Sequence, residues 1–394
     1  EVRIELLTGA GYIVGTSSAA TVDILDNDRP GSVDGSFGNV LPVVTDLGGW
    51  ENGYGVAAQP DGKVVVVGDT CGCNGNDFLV VRYNADGTLD TSFGGCGSVL
   101  SDFGYSESAR AVAVQENGKV VVAGYRETGG GYSDFLVVRY NTDGSLDSTF
   151  GSGLGYVVTD IRPGDFGMSL AIQPSDGKIV LGGYSGDAYA CSNCDFVAVR
   201  YDSAGSLDSG FGVGGVAFAD LAADDFGRAL VLQPDGKIVL AGDSSGNFGV
   251  ARLNVDGSLD TSFNTVGWVS SSLGNWGYGR SVSLQDDGKI LVAGDAYSYS
   301  TYSQDVYVAR YQSNGTLDPT FGGDGIIERD WGGEDYAYGV AAVDGRVIVG
   351  GYSGATDSFV VAGYESDGDV DAAFACGGMA TVKPGEYSNY ARSM

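Results

Sequence analysis

The chain contains no histidine, and this limits what its serines can do. Gly242-Asp243-Ser244-Ser245-Gly246 fits the Gly-x-Ser-x-Gly pattern of a nucleophile elbow. A serine nucleophile, however, needs a base beside it and a sharp strand-to-helix turn beneath it. Ser244 follows an apolar, strand-like run, so no nucleophile is expected there. Gly151-Ser152-Gly153-Leu154-Gly155 is likewise a glycine loop without the helix that would hold a phosphate. No catalytic residue is expected.

Carboxylates are the next candidates. Two drawn from Asp46, Asp102, Asp160, Asp220 and Asp330 could serve a polysaccharide-active enzyme as acid and base. That chemistry needs one carboxyl of raised pKa in a cleft, whereas these acids recur regularly along the chain, like framework. The same segments carry aromatics. Trp50, Trp276 and Trp331 stand close to Asp46, Asp330 and Asp335 or their counterparts, the composition of a sugar-stacking or cation-binding surface. Phe166, Phe226 and Tyr278 share one offset and are expected to fill gaps between packed sheets. Loops such as Asn84 to Asp90 and Asn141 to Asp147 alternate oxygen donors as Ca²⁺ sites do, but lack a bidentate Glu. Their Asn and Asp are expected to bond their own backbone instead.

Six cysteines occur as Cys71-Gly-Cys73, Cys191-Ser-Asn-Cys194, Cys96 and Cys376. An even number leans towards an oxidising compartment. For Cys191 and Cys194 a local disulfide is favoured over a thiol pair or a metal site. For Cys71 and Cys73 the one-residue spacing strains the bridge. A four-cysteine zinc site would require the two pairs, which lie two repeats apart, to meet.

Those residues must be positioned by repeated elements. A Leu/Val-Asp-x-x-Phe element ends at Phe37, Phe93, Phe150, Phe211, Phe263, Phe321 and Phe374, with steps of roughly 52 to 61 residues. Between successive copies come a short run ending in an acid, an alternating run, a Pro-Asp-Gly-Lys-type turn, an apolar run and a final strand-like run. Asp-Gly or Asn-Gly at Asp61, Asn117, Asp176, Asp235, Asp287 and Asp344 marks a hairpin in each unit. Arg82, Arg139, Arg200, Arg252 and Arg310 each stand eight residues before Asp90, Asp147, Asp208, Asp260 and Asp318. These pairs are expected to fix the register of one unit on the Asp that starts the next, and Gly363 replaces the Arg in the last copy. Four strands and turns per unit give an all-β, seven-bladed β-propeller of antiparallel blades, with six complete repeats and a composite or incomplete seventh.

The motifs Gln-Pro-Asp-Gly-Lys-Ile-Val, Val-Ala-Arg-Tyr and Asp-Gly-Ser-Leu-Asp-x-x-Phe closely resemble the delta-60 repeats of bacterial surface and secreted proteins, over residues 31–394. Residues 12–28 resemble the last part of a Calx-β domain, so residues 1–30 form a separate segment that could also close the last blade. The likeness implies a long extracellular bacterial protein and brings no catalytic residues. Some Calx-β domains bind Ca²⁺, which makes Asp26 and Asp28 metal candidates. No cofactor is required.

A net charge of -30 repels phosphate backbones and anionic membrane surfaces, and no apolar run is long enough for a spanning helix. Nucleic acid and membrane insertion are therefore not expected. Glu1 begins within strand-like sequence, as in a processed chain or an excerpt. The leading reading is a non-enzymatic extracellular structural or adhesion module whose partners are other modules or copies of itself. A carbohydrate-binding propeller for surface glycans is the second, and a polysaccharide-active enzyme the third.

Overall fold

The computed structural model describes residues 2–5, 21–26, 37–38, 43–48, 50–71, 75–187, 193–221, 224–273, 276–299, 302–375 and 377–383. Strands β1 (Val2–Glu5) and β2 (Thr21–Asp26) pair with each other. The remaining strands come in fours. The first blade holds β3 (Glu51–Ala58), β4 (Val64–Cys71), β5 (Asn76–Tyr83) and β6 (Ser98–Ser101). The second holds β7 (Glu107–Val114), β8 (Val120–Gly129), β9 (Tyr132–Tyr140) and β10 (Tyr156–Thr159). The third holds β11 (Gly164–Ile172), β12 (Ile179–Gly186), β13 (Asp195–Tyr201) and β14 (Val216–Ala219). The fourth holds β15 (Asp225–Leu232), β16 (Ile238–Ser244), β17 (Asn247–Leu253) and β18 (Trp268–Ser271). The fifth holds β19 (Gly277–Leu284), β20 (Ile290–Ser298), β21 (Ser303–Tyr311) and β22 (Ile326–Arg329). The sixth holds β23 (Asp335–Val343), β24 (Arg346–Ser353), β25 (Ser358–Tyr364) and β26 (Met379–Val382). Neighbouring strands within a blade follow chain order. Among the described residues helical geometry is confined to a short 3-10 turn at Gly151–Gly153 and to Gly38.

The hairpins form where the turn chemistry places them. Gly62 takes φ +81°, its amide bonds Gln59 O at 2.9 Å, and Gln59 N bonds Lys63 O at 2.8 Å. The turns at Asn117-Gly118, Asp235-Gly236 and Asp287-Gly288 repeat this geometry, the Asp176-Gly177 turn is one residue longer, and Asp344-Gly345 is a two-residue turn between paired Val343 and Arg346.

The phase of the blade differs from the expected one. The short run after each Phe closes the preceding sheet and does not open the next: Phe78 pairs with Ser101 and Val81 with Ser98. The cause is the Leu-Asp-x-x-Phe element, a compact turn with Asp90 N on Arg82 O, Phe93 N on Asp90 O and Arg82 N on Gly97 O, each at 2.9 Å. That turn returns the chain to the strand it left. The first blade accordingly starts at Glu51, and β26 completes the sixth blade by pairing with β25. The expected seventh blade joins residues 379–394 to residues 2–7 and 21–26; residues 379–382 belong to the sixth instead, and residues 384–394 lie outside the described residues.

Five first strands carry a one-residue bulge, at Tyr54, Arg110, Met168, Arg280 and Tyr338. A bulge locally increases twist and re-aims the extra side chain.

The chain divides into two compact units, Val44–Leu232 with Leu253–Ser258, and Glu1–Val43 with Gln233–Arg252 and Leu259–Met394. In the former, Val120 and Val122 pack towards Val65, Val67, Phe78 and Phe93, while Val121 and Ala123 pack towards Phe150, Ile179, Leu181 and Val197. Successive apolar residues thus feed two different cores, as a strand covered on both faces requires. In the latter unit Leu291, Val306, Val308 and Phe321 meet Ala337, Val340, Val347 and Val349.

Candidate functional site

The repeated arginine sits at the end of the third strand with its side chain buried. Arg139 shows the full pattern. Its Nε donates to Asp147 Oδ2 at 2.6 Å, Nη1 to the Ser203 carbonyl at 2.5 Å, and Nη2 to Thr149 Oγ1 at 3.2 Å. The guanidinium also lies 4.6 Å from the centre of the Phe150 ring. Arg and Asp therefore belong to the same blade, and the bond that reaches the next blade is the one to the carbonyl. Arg82, Arg200 and Arg252 repeat it onto Thr142, Val255 and Ser313 at 2.6 to 2.7 Å, and Arg310 onto Ser366. The acid partners Asp90, Asp208, Asp260 and Asp318 lie 2.7 to 2.8 Å from their arginines. A second bond beside the first, Gly94 N to Asp143 O at 2.9 Å, completes the latch.

Sequence reasoning missed the third member of this latch. The lysine that ends each hairpin turn reaches the same aspartate, as in Lys119 Nζ to Asp147 Oδ2 at 2.7 Å and Lys63 to Asp90 at 3.2 Å. Its constant place after the turn Gly was the available signal. Where Gly363 replaces the third-strand Arg, Arg346 at the lysine position holds Asp371 at 2.9 Å. Burial pushes the carboxyls of Asp90, Asp147 and Asp260 upward. Hydrogen bonds from the following Ser or Thr and from both cations outweigh it and hold them well below the usual range.

A second repeated set is made of carboxylates alone. Oxygens of Asp77, Asp102 and Glu107 lie within 4.8 Å of one another, as do those of Asp195, Asp220 and Asp225, and of Asp305, Asp330 and Asp335. Each trio joins the start of a third strand, the loop after the fourth strand and the first residue of the next blade. The middle acid is exposed and the last is buried. Glu107 is 1% exposed and neither of its oxygens has a well-formed hydrogen bond, although the Phe103 amide acts on its carboxyl in the direction that lowers it. Burial pushes its carboxyl up to about 7, with Asp102 and Asp77 adding to the rise and Arg126 opposing it. Asp335 is fully buried, and burial pushes it up to about 6 despite the Trp331 amide at 2.6 Å. Asp165 is raised to about 6 by burial, against hydrogen bonds from Ser185 and the Ile161 and Arg162 amides. These trios offer oxygen donors for a hard cation.

The expected ligand residues separate. Trp50 is 85% exposed and Trp276 57% exposed, each just before a first strand. Trp331 does not join them. Its indole packs on the core around Val340 and Tyr364 and donates to Tyr364 Oη at 3.3 Å, because the two glycines after it fold the loop back onto the sheet. Asp46 and Asp330 are exposed and accept amides two residues on, Gly48 and Gly332. Phe166 fills a gap between sheets as expected, in a ladder of rings from Tyr125 through Phe166 and Tyr184 to Phe226 with centroids 4.9 to 5.2 Å apart.

The strand-linking Asp loops bond themselves, Asp86 Oδ1 accepting both the amide and hydroxyl of Thr88. Ser244 is buried inside β16. Cys194 is disulfide-bonded and Cys96 is a free, exposed thiol. Asp26 ends β2. Asp28, Cys73 and Cys191 lie outside the described residues, as does the Cys71 side chain. The third-strand acids Asp77, Asp195 and Asp305 were also missed, although each stands 25 residues before Asp102, Asp220 and Asp330.

The family described as "Domain of unknown function (DUF5122) beta-propeller" matches residues 59–93, 115–150, 175–211, 233–263, 285–321 and 344–374. Each matched segment runs from a hairpin turn to the Phe of the following turn element. No curated protein matches the chain. Among solved structures, a Dyadobacter fermentans protein of unknown function is 10% identical with a TM-score of 0.45, over 81% of this chain and 93% of that one. A Lactobacillus plantarum protein is 16% identical with a TM-score of 0.43, over 81% and 83%. A glucose dehydrogenase is 14% identical with a TM-score of 0.43, over 77% and 93%.

Proposed function

We propose, since the chain belongs to the DUF5122 β-propeller family, that it acts as a non-enzymatic structural or adhesion module within a larger bacterial surface or matrix protein. The observation that carries this reading is the commitment of the five repeated arginines to latches between consecutive blades. The most regular chemistry of the sequence thereby serves rigidity. The disulfide at Cys194 supports an oxidising, extracellular setting. The likeness of residues 12–28 to Calx-β and of the repeats to delta-60 proteins supports a place among other modules or copies of itself. The carboxylates argue against a glycosidase, because Glu107 and Asp335, whose carboxyls burial raises, are enclosed where a sugar ring cannot reach them.

A second reading, glycan binding, is favoured by the exposure of Trp50 and Trp276, since large solvent-facing indoles are the usual platforms for pyranose rings. Both readings are tested by offering the purified chain a panel of bacterial surface polysaccharides and reading retention and chain scission on the same samples. Retention without new reducing ends is expected, and its loss in Trp50→Ala would favour the glycan reading. New reducing ends that vanish in Glu107→Gln would replace both with the enzyme.

A further inference from the structure

We propose that the trios Asp77/Asp102/Glu107 and Asp305/Asp330/Asp335 are divalent-cation sites of the Ca²⁺ class, each stapling one blade to the next. The proposal stands apart from the reading of the whole chain as an adhesion module.

Geometry comes first. Calcium binds oxygens at about 2.3–2.6 Å, so one ion can touch three oxygens that all lie within 4.8 Å of one another. The three donors come from a third strand, the loop after a fourth strand and the first strand of the following blade, so an ion held there ties the two blades directly.

Burial supplies an independent sign. Glu107 presents to its trio two buried oxygens without well-formed hydrogen bonds, and Asp335 one. A carboxylate removed from water without compensation is strongly unfavourable, and three carboxylates together repel one another. Arg126, the cross-strand neighbour of Glu107, turns its guanidinium to Asp134 at 3.4 Å and to the Phe103 carbonyl at 3.3 Å. A dication between the acids would meet both costs, leaving solvent to complete the shell through exposed Asp102 or Asp330.

The repeats provide an internal comparison. Where the fourth blade has Asn247 at the third-strand position, the loop position is Ser272 and the next first strand opens with Gly277, so all three acids are lost together. Ser358 and Lys383 mark the same loss in the sixth blade. The trio Asp195/Asp220/Asp225 keeps its acids but already has a cation, Arg162, whose Nη1 lies 2.6 Å from Asp195 Oδ2. The second blade also keeps all three acids, Asp134, Asp160 and Asp165, with Arg126 3.4 Å from Asp134. Acids that are kept or lost as a set, and that carry a built-in cation in two copies, behave as joint ligands.

The test uses the whole chain after chelator treatment and exchange into divalent-free buffer at pH 8. Calorimetry with Ca²⁺ and luminescence with Tb³⁺ report binding, and Trp331, between Asp330 and Asp335 in sequence, serves as the sensitiser for the second site. Two sites are expected, together with a Ca²⁺-dependent rise in melting temperature. Asp102→Asn and Asp330→Asn alter exposed side chains, so both variants should fold. Each should lose one site, and the double variant should lose all binding and the thermal shift. No binding of either ion at millimolar concentration would overturn the proposal, as would unchanged stoichiometry in the double variant.

Discussion

The two kinds of buried acid pull stability in opposite directions as pH changes. Asp90, Asp147 and Asp260 are held below their ordinary value, so their contribution is present above about pH 4 and is lost as pH falls below it. Glu107 is raised from 4.5 to about 7, and Asp165 and Asp335 from 3.8 to about 6. The folded chain keeps those protons where the unfolded chain has released them. Their contribution is therefore full below the ordinary carboxylate values and is lost as pH rises through 6 to 7. In divalent-free buffer the melting temperature should be a few degrees lower at pH 8 than at pH 5. Glu107→Gln should flatten that slope, and a slope unchanged by Glu107→Gln would contradict the assignment. The thiols give a second residue-scale expectation. Alkylation without reductant, followed by peptide mass spectrometry, should label Cys96 and leave Cys194 unlabelled, in keeping with a free and a bridged sulfur. Labelled Cys194 would refute the bridge and weaken the extracellular setting.

At the scale of elements, the sequence made the hairpins legible because Asp-Gly and Asn-Gly turns are local chemistry. It also made the Arg–Asp pairs legible, because their spacing is constant. It did not reveal where one blade ends. The strand period and the turn signals are unchanged by shifting the frame by one strand, and only the hydrogen bonds from Phe78 to Val81 onto Ser98 to Ser101 settle it. The carboxylate trios were half legible for the same reason. Asp102, Asp330 and Asp335 stood out in variable loops, whereas Asp77 and Asp305 hide at the heads of strands and join the others only once two blades are packed. Trp331 looked like Trp50 in sequence, and the fold of its loop distinguishes them. The latch itself makes a prediction at this scale. Gly144 has φ +85°, and a Cβ there would come within 2.8 Å of Gly94 N and 2.9 Å of Val99. Gly144→Ala should therefore cost about 1–3 kcal/mol in chemical denaturation through backbone strain and separation of the latch. A loss within a few tenths of a kcal/mol would show that the two blades are not held so closely.

At the scale of the molecule, labour is divided. Residues that recur from copy to copy hold blade to blade, while residues that break the repeat, such as Trp50 and Trp276, face solvent. A net charge of -30 adds repulsion that the latches must withstand, and five copies set two cations on one aspartate. The most direct test follows melting temperature and retention on a surface polysaccharide or partner module in Arg139→Leu and Trp50→Ala. Arg139→Leu removes one partner of a buried pair and should lose about 3 kcal/mol of stability, while below its melting temperature it retains full binding. Trp50→Ala should melt like the parent chain and bind less. An Arg139→Leu protein that melts normally but no longer binds would contradict the account, because the repeated cations would then be the binding surface.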